Sequence, residues 1–266
     1  MRDCERIGGC VYESINKYVA NLNRIEFVVT RACTGRCKHC SEGEHVGSGE
    51  HLDARAAAQL VCDIAEIYHI ESVMTFGGEP LIFPETVYEI HNAAKEAGIP
   101  EREIITNGFF TKDESRITSV AERLVQSGVN GILLSVDAFH QETIPLEPVK
   151  KFATEVHRQG IHVRAHPAWL VNREDGNPYN LRTEEILQEF EDMGIFRSDG
   201  NVIFPAGNAL KYLGDYFDRD RVYTSPYEED PEDIRAICID SQGDVLGGNI
   251  YQKDILEILE DYGAHV

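Results

Sequence analysis

Cys33, Cys37 and Cys40 place three thiols within eight residues, spaced four and then three apart. Thiolates are soft ligands, and three on one short loop can hold three irons of a cubane cluster while leaving the fourth iron open to an external ligand. The competing chemistry is a zinc site completed by His39 or His45, since three cysteines and a histidine form a closed tetrahedron. Zinc sites commonly pair one Cys-x-x-Cys with a distant second pair, and no such pair follows here, so the spacing favours iron and sulfide. Seven cysteines, an odd number unevenly placed, do not suit a secreted disulfide framework. A second cluster would have to recruit Cys4, Cys10 or Cys238. Cys62, amid apolar residues, reads as a small buried hydrophobe.

Further polar residues recur where apolar runs end. Gly77-Gly78-Glu79-Pro80 combines glycines that permit close backbone approach with a carboxylate that can accept hydrogen bonds from an ammonium; alone it also reads as an ordinary strand-to-helix turn. Thr106-Asn107-Gly108 and Ser135-Val136-Asp137 follow in order. Ser135 and Asp137 would share one face of a strand, or Asp137 would cap the next segment. Arg164 offers a planar cation suited to a carboxylate, or is a surface arginine. Pro205-Ala206-Gly207-Asn208-Ala209 closes the series.

These residues need elements to position them, and the chain alternates short strand-like runs with longer helix-like ones. The strands are expected at Ile25–Thr30, Ser72–Phe76, Glu103–Thr106, Gly131–Val136, Ile161–Ala165 and Asn201–Phe204. Helices are expected at Leu52–Tyr68 with Asp53 as cap, Pro84–Ala97, Asp113–Ser127, Glu147–Gln159 and Thr183–Met193, the last four ending at Gly98, Gly128, Gly160 and Gly194. Six strands alternating with helices imply an α/β fold with parallel strands, read here as a partial (β/α)6 TIM-like barrel with a small C-terminal extension. The expected division is an N-terminal segment 1–24, the barrel 25–214 and the extension 215–266, with a hairpin at Cys238–Leu246 and a closing helix at Gln252–Tyr262. Such a barrel gathers every motif above on the rim where barrel enzymes place their chemistry.

With its neighbours, the loop Cys33-Thr34-Gly35-Arg36-Cys37-Lys38-His39-Cys40 resembles the CxxxCxxC signature of the radical S-adenosylmethionine superfamily. The run Gly77 to Pro80 is similar to that family's GGE motif, and the Thr-Asn-Gly and Ser-x-Asp runs follow in the family's order, so the resemblance covers about Ile25 to Leu210. It implies a [4Fe-4S] cluster on Cys33, Cys37 and Cys40, and S-adenosyl-L-methionine as the ligand of the open iron. It further implies nucleotide contacts from His39, Gly77, Gly78, Glu79, Pro80, Thr106, Asn107, Ser135, Asp137, Arg164 and Ala206. Asn208 stands where an arginine is usual. Cys238 to Val245 resembles the opening of a SPASM or twitch extension without its further cysteines.

The resemblance implies reductive cleavage of S-adenosylmethionine by an electron from a donor such as flavodoxin or ferredoxin, followed by hydrogen abstraction from a peptide or small natural product. A glycyl-radical activating enzyme is the nearest alternative. An iron-sulfur or zinc protein that senses redox state or docks a partner without turnover is the alternative of another class. The balance of 25 basic against 46 acidic residues, net −21, would repel nucleic acid and anionic lipid. Neither a signal-like segment nor a membrane-length apolar run is found, so a cytoplasmic protein is expected.

Overall fold

The computed structural model describes residues 15–44, 49–218, 220–223 and 228–264. Cys4, Cys10 and His45 lie outside them. In chain order the elements are β1 (Arg24–Thr30), α1 (Ala54–Ile67), β2 (Ser72–Gly77), α2 (Pro84–Glu96), β3 (Glu101–Thr106), α3 (Glu114–Gln126), β4 (Gly131–Ser135), α4 (Ala138–Gln141), α5 (Leu146–Arg158), β5 (His162–His166) and β6 (Ala168–Trp169). Then come α6 (Pro178–Glu191), β7 (Phe196–Arg197), β8 (Asn201–Val202), α7 (Gly207–Leu213), β9 (Ala236–Ile239), β10 (Asp244–Val245), β11 (Gly248–Asn249) and α8 (Ile255–Asp261).

Seven strands form one parallel sheet in the order β7-β5-β4-β3-β2-β1-β9. This is the α/β partial barrel expected from the alternation. Period-two patterning explains its two faces. Ile25, Phe27, Val29, Val73, Ile104, Ile132, Leu134, Val163 and Ala165 are buried beneath the helices, each such side chain worth about 1.5–3 kcal/mol when it is a full-sized aliphatic or phenyl group. The alternate residues Glu26, Val28, Glu103, Ile105, Leu133, Ser135, Arg164 and His166 stay half-buried on the concave face. Asp53 caps α1 by accepting from Ala56 N, and the four stop glycines take left-handed φ values of 77°, 94°, 88° and 80°, a region closed to most side chains.

Two strand assignments need correction. The sixth sheet strand is β7, which pairs with β5, whereas Asn201–Val202 pairs with β6 in a separate two-stranded sheet. Only Ile195 separates Gly194 from β7, so the first extended residues after α6 reach the sheet edge and those further on have already passed it. The predicted hairpin likewise divides. Ala236–Ile239 joins the main sheet parallel to β1, while Asp244–Val245 pairs antiparallel with Gly248–Asn249. Cys62 is half-buried on α1 and disulfide-bonded, which replaces its reading as a buried hydrophobe. Among the described residues no helix is long and apolar enough to cross a membrane.

Candidate active site

The cysteine loop leaves the C-terminal end of β1 and is fastened on several sides. At the end of β2, Gly78 N donates to Thr30 O at 2.7 Å and Glu79 N donates to Ala32 O at 2.8 Å. These bonds require glycine. A Cβ on Gly77 would stand 2.4 Å from Thr30 O, and one on Gly78 would stand 2.1 Å from Ala32 O, far inside contact distance, and Gly77 also holds φ 139°. The glycine pair is therefore a seat for the loop's own backbone.

Glu79 is fully buried. Its Oε1 accepts from Leu81 N at 2.9 Å and from Thr106 Oγ1 at 2.7 Å, and its Oε2 accepts from Asn107 N at 2.8 Å, so the carboxylate ties the end of β2 to the end of β3. Burial pushes its pKa up to about 7, against the lowering effect of those donors. From β3, the Asn107 amide reaches Thr34 Oγ1 at 3.2 Å and Cys33 Sγ at 3.6 Å.

Asp137, at the end of β4, is also fully buried. It caps α4, its Oδ1 accepting from Phe139 N and His140 N at 2.9 Å each, while Oδ2 meets His140 Nδ1 at 2.8 Å and accepts from Ala168 N at 3.1 Å. Burial alone would raise its pKa, but the imidazoles of His140 and His39 and the bonds from His140 hold it well below the usual carboxylate range. The capping reading of Asp137 is the one realised. It does not share an environment with Ser135, which is half-exposed.

His39 tilts against Phe139 with ring centroids 5.1 Å apart and meets His140 edge-on at 4.7 Å. Burial lowers its pKa to about 4, so the ring is neutral near pH 7. Arg164 is paired with Glu103 across the concave face at 2.7 Å, and His166 with Ser198 at 2.7 Å. Ala206 precedes α7. Its neighbour Asn208 is buried and holds the loop from the far side, N donating to Cys40 O at 2.9 Å and Nδ2 to Cys37 O at 3.2 Å. Where an arginine was expected, the amide docks on backbone.

Sequence reading missed His140, although an aspartate three residues before a histidine at a helix start is a visible signal. It also missed the docking role of Asn208, for which sequence carries none. Among the described residues, Cys37, His39 and His140 bring ligand atoms within 4.8 Å of one another. Cys33 and Cys40 stand outside that set, so the three thiols do not close on one point as a mononuclear zinc tetrahedron would. Three thiols spread along a loop, with Gly35 N donating to Cys33 Sγ at 3.3 Å, fit a polynuclear iron-sulfur cluster. Burial raises the pKa of all three, Cys33 to about 11, so loading the cluster must release protons.

Comparison with known proteins agrees. The model of the Radical SAM superfamily matches residues 27–166, just over half of the chain. GTP 3',8-cyclase of Desulforamulus reducens is 26% identical over 131 residues, covering 48% of this chain and 38% of that protein. A probable GTP 3',8-cyclase of Sulfolobus acidocaldarius is 30% identical over 120 residues, covering 45% and 36%. The matches thus span little more than a third of these curated relatives. In fold, the chain is similar to Streptococcus suis SuiB bound to its precursor peptide SuiA, with TM-score 0.57, 14% identity and coverage of 93% of this chain and 66% of that one. It is equally similar to anSMEcpe with bound AdoMet, with TM-score 0.57, 13% identity and coverage of 91% and 81%. The family match runs from β1 through the cysteine loop to β5, and the chain belongs to the radical SAM superfamily.

Proposed function

We propose that this radical SAM enzyme acts on a peptide or small natural product, with Cys33, Cys37 and Cys40 holding three irons of its [4Fe-4S] cluster. The cluster and S-adenosylmethionine, when bound, supply reductive carbon-sulfur cleavage and a 5'-deoxyadenosyl radical. The observation that carries this reading is the fastening of the cysteine loop to the strand ends of β2 and β3 and to Asn208, at the mouth of the half-exposed concave face.

Backbone at Gly77, Gly78 and Pro80, with Thr106, Asn107 and Ser135, is assigned to the nucleotide side, with His39 and Ala206 near its adenine and Arg164 toward its carboxylate. Glu79 and Asp137, whose oxygens are engaged by the protein itself, are positioning residues for that site. The chain is divided as 25–214 for the barrel and 215–266 for an extension that lends β9 to the sheet. A small redox protein such as flavodoxin or ferredoxin would supply the electron.

A peptide is favoured over a nucleotide substrate by two features. A cavity of about 510 Å³ beside α7, the helix that carries Asn208, is lined by Leu210, Tyr212, Phe217 and Tyr223 together with Lys211, Arg221, Asp215 and Asp218, a mixture suited to an extended chain. On the concave face Arg24 is already paired with Glu26, and Arg164, which would exchange Glu103 for the nucleotide's carboxylate, is not free for a triphosphate. The peptide carried by SuiB supports the same reading.

The test is anaerobic reconstitution with iron and sulfide, then reduction in the presence of S-adenosylmethionine. About four irons per chain and release of 5'-deoxyadenosine are expected, with release stimulated by a peptide library. An intact cluster that yields no 5'-deoxyadenosine overturns the assignment, and stimulation by GTP alone overturns the peptide.

A further inference from the structure

The constellation around Asp137 contains more than nucleotide binding requires. His140 Nδ1 is engaged by Asp137 Oδ2 at 2.8 Å, and Asp137 is itself fixed by the backbone N–H groups of Phe139, His140 and Ala168. That arrangement sets the tautomer of His140 with Nε2 as a lone-pair donor. A carboxylate behind a histidine is the usual support of a metal-ligating imidazole. Opposite it, His39 Nδ1 is buried and has no hydrogen-bond partner among the described residues. Cys37, almost wholly buried at 7% exposure, completes a set whose ligand atoms all lie within 4.8 Å. Tetrahedral zinc with ordinary Zn–N and Zn–S bonds needs ligand separations of about 3.4–3.6 Å, a contraction that side-chain torsions can supply. One sulfur and two nitrogens select a borderline cation over magnesium or calcium.

We propose that the chain without its cluster binds one divalent cation of the zinc class through Cys37 Sγ, a ring nitrogen of His39 and His140 Nε2, and that this cation and the iron-sulfur cluster exclude one another because both require Cys37. The fourth position is left to water. Binding exchanges the Cys37 thiol proton for the metal and changes no oxidation state. Cation binding stands on the side-chain constellation alone, while the exclusion rests on the cluster assignment of Cys37.

The experiment uses the full chain, stripped of metal under anaerobic conditions and titrated with Co²⁺ as the probe. One equivalent should produce a thiolate-to-cobalt charge-transfer band and the intense d–d bands of a four-coordinate ion. Cys33→Ala should abolish cluster assembly and leave this spectrum intact. His140→Gln should weaken Co²⁺ at least about tenfold while iron and sulfide still load, and prior Zn²⁺ should slow that loading in the parent chain but not in this variant. His39→Gln, with folding checked by circular dichroism, should weaken Co²⁺ in the same way. Absence of a four-coordinate cobalt spectrum, a spectrum that survives both histidine substitutions, or one that is lost in Cys33→Ala overturns the site. Undiminished cluster loading after Zn²⁺ overturns the exclusion. Neither result depends on whether 5'-deoxyadenosine is released, so failure here and failure of the enzyme assignment read out separately.

Discussion

The ends of β2 and β4 each bury a carboxylate completely, yet push it in opposite directions. Glu79 is surrounded by neutral donors, the Thr106 hydroxyl and two backbone amides, and burial raises its pKa to about 7. Asp137 receives as many bonds but adds the imidazoles of His140 and His39, and stays ionised. Hydrogen bonds thus satisfy both groups; direct contact with the imidazoles outweighs burial at Asp137, whereas His140 is only the weakest of the influences on Glu79. At β2 the loop is seated by backbone approach, and at β4 by a side-chain network.

Substitutions at the two ends should separate those strategies. The largest effect is expected from Gly78→Ala, whose Cβ would meet the Ala32 carbonyl at 2.1 Å; a loss of about 4 kcal/mol should appear in urea unfolding, with cluster loading lost as well. Asp137→Asn should cost about 3 kcal/mol at pH 7, since it strands a buried partner. Its penalty is a charge effect, present above the ordinary aspartate value of 3.8 and lost as the pH falls below it. Equal stability of parent and variant at pH 7 would show that the histidines contribute nothing.

Glu79→Gln should reveal the opposite sign. The folded state binds the Glu79 proton more tightly than the unfolded state, so parent stability should fall as pH rises from 4.5 through about 7, by about 3 kcal/mol in all. The variant should lose that slope, and a pH series of unfolding midpoints in both proteins would detect it. Asn208→Ala should have the smallest effect, about 1 kcal/mol, because it removes one bond to Cys37 O and leaves the backbone bond to Cys40 O in place. A loss as large as that of Asp137→Asn would mean that the loop is held chiefly from its far side.

Much of this site is legible in sequence because its parts are local. The cysteine spacing, the Gly-Gly-Glu run and the Thr-Asn-Gly run are each read within a few residues, and the stop glycines announce the ends of α2, α3, α5 and α6 through a backbone conformation few other residues adopt. What sequence could not give is pairing between distant segments. The Asp240 to Asp244 turn is real, with Gly243 N donating to Asp240 O at 3.0 Å, but the strand before it pairs with β1. The apolar run at Val202–Phe204 draws the sixth strand to Asn201–Phe204, whereas the short length of chain left after α6 brings Phe196–Arg197 to β5. His140 was passed over because Asp137 reads equally as a cap or a ligand until its burial is known.

The pairing of β9 with β1 also sets an order of events during synthesis. The last cysteine of the loop, Cys40, leaves the ribosome 196 residues ahead of Ala236, a delay of roughly 10–40 s at ordinary elongation rates. Until β9 arrives, the edge of the loop's own strand that faces away from β2 stays open. The arrival of β9 closes that edge and completes the sheet.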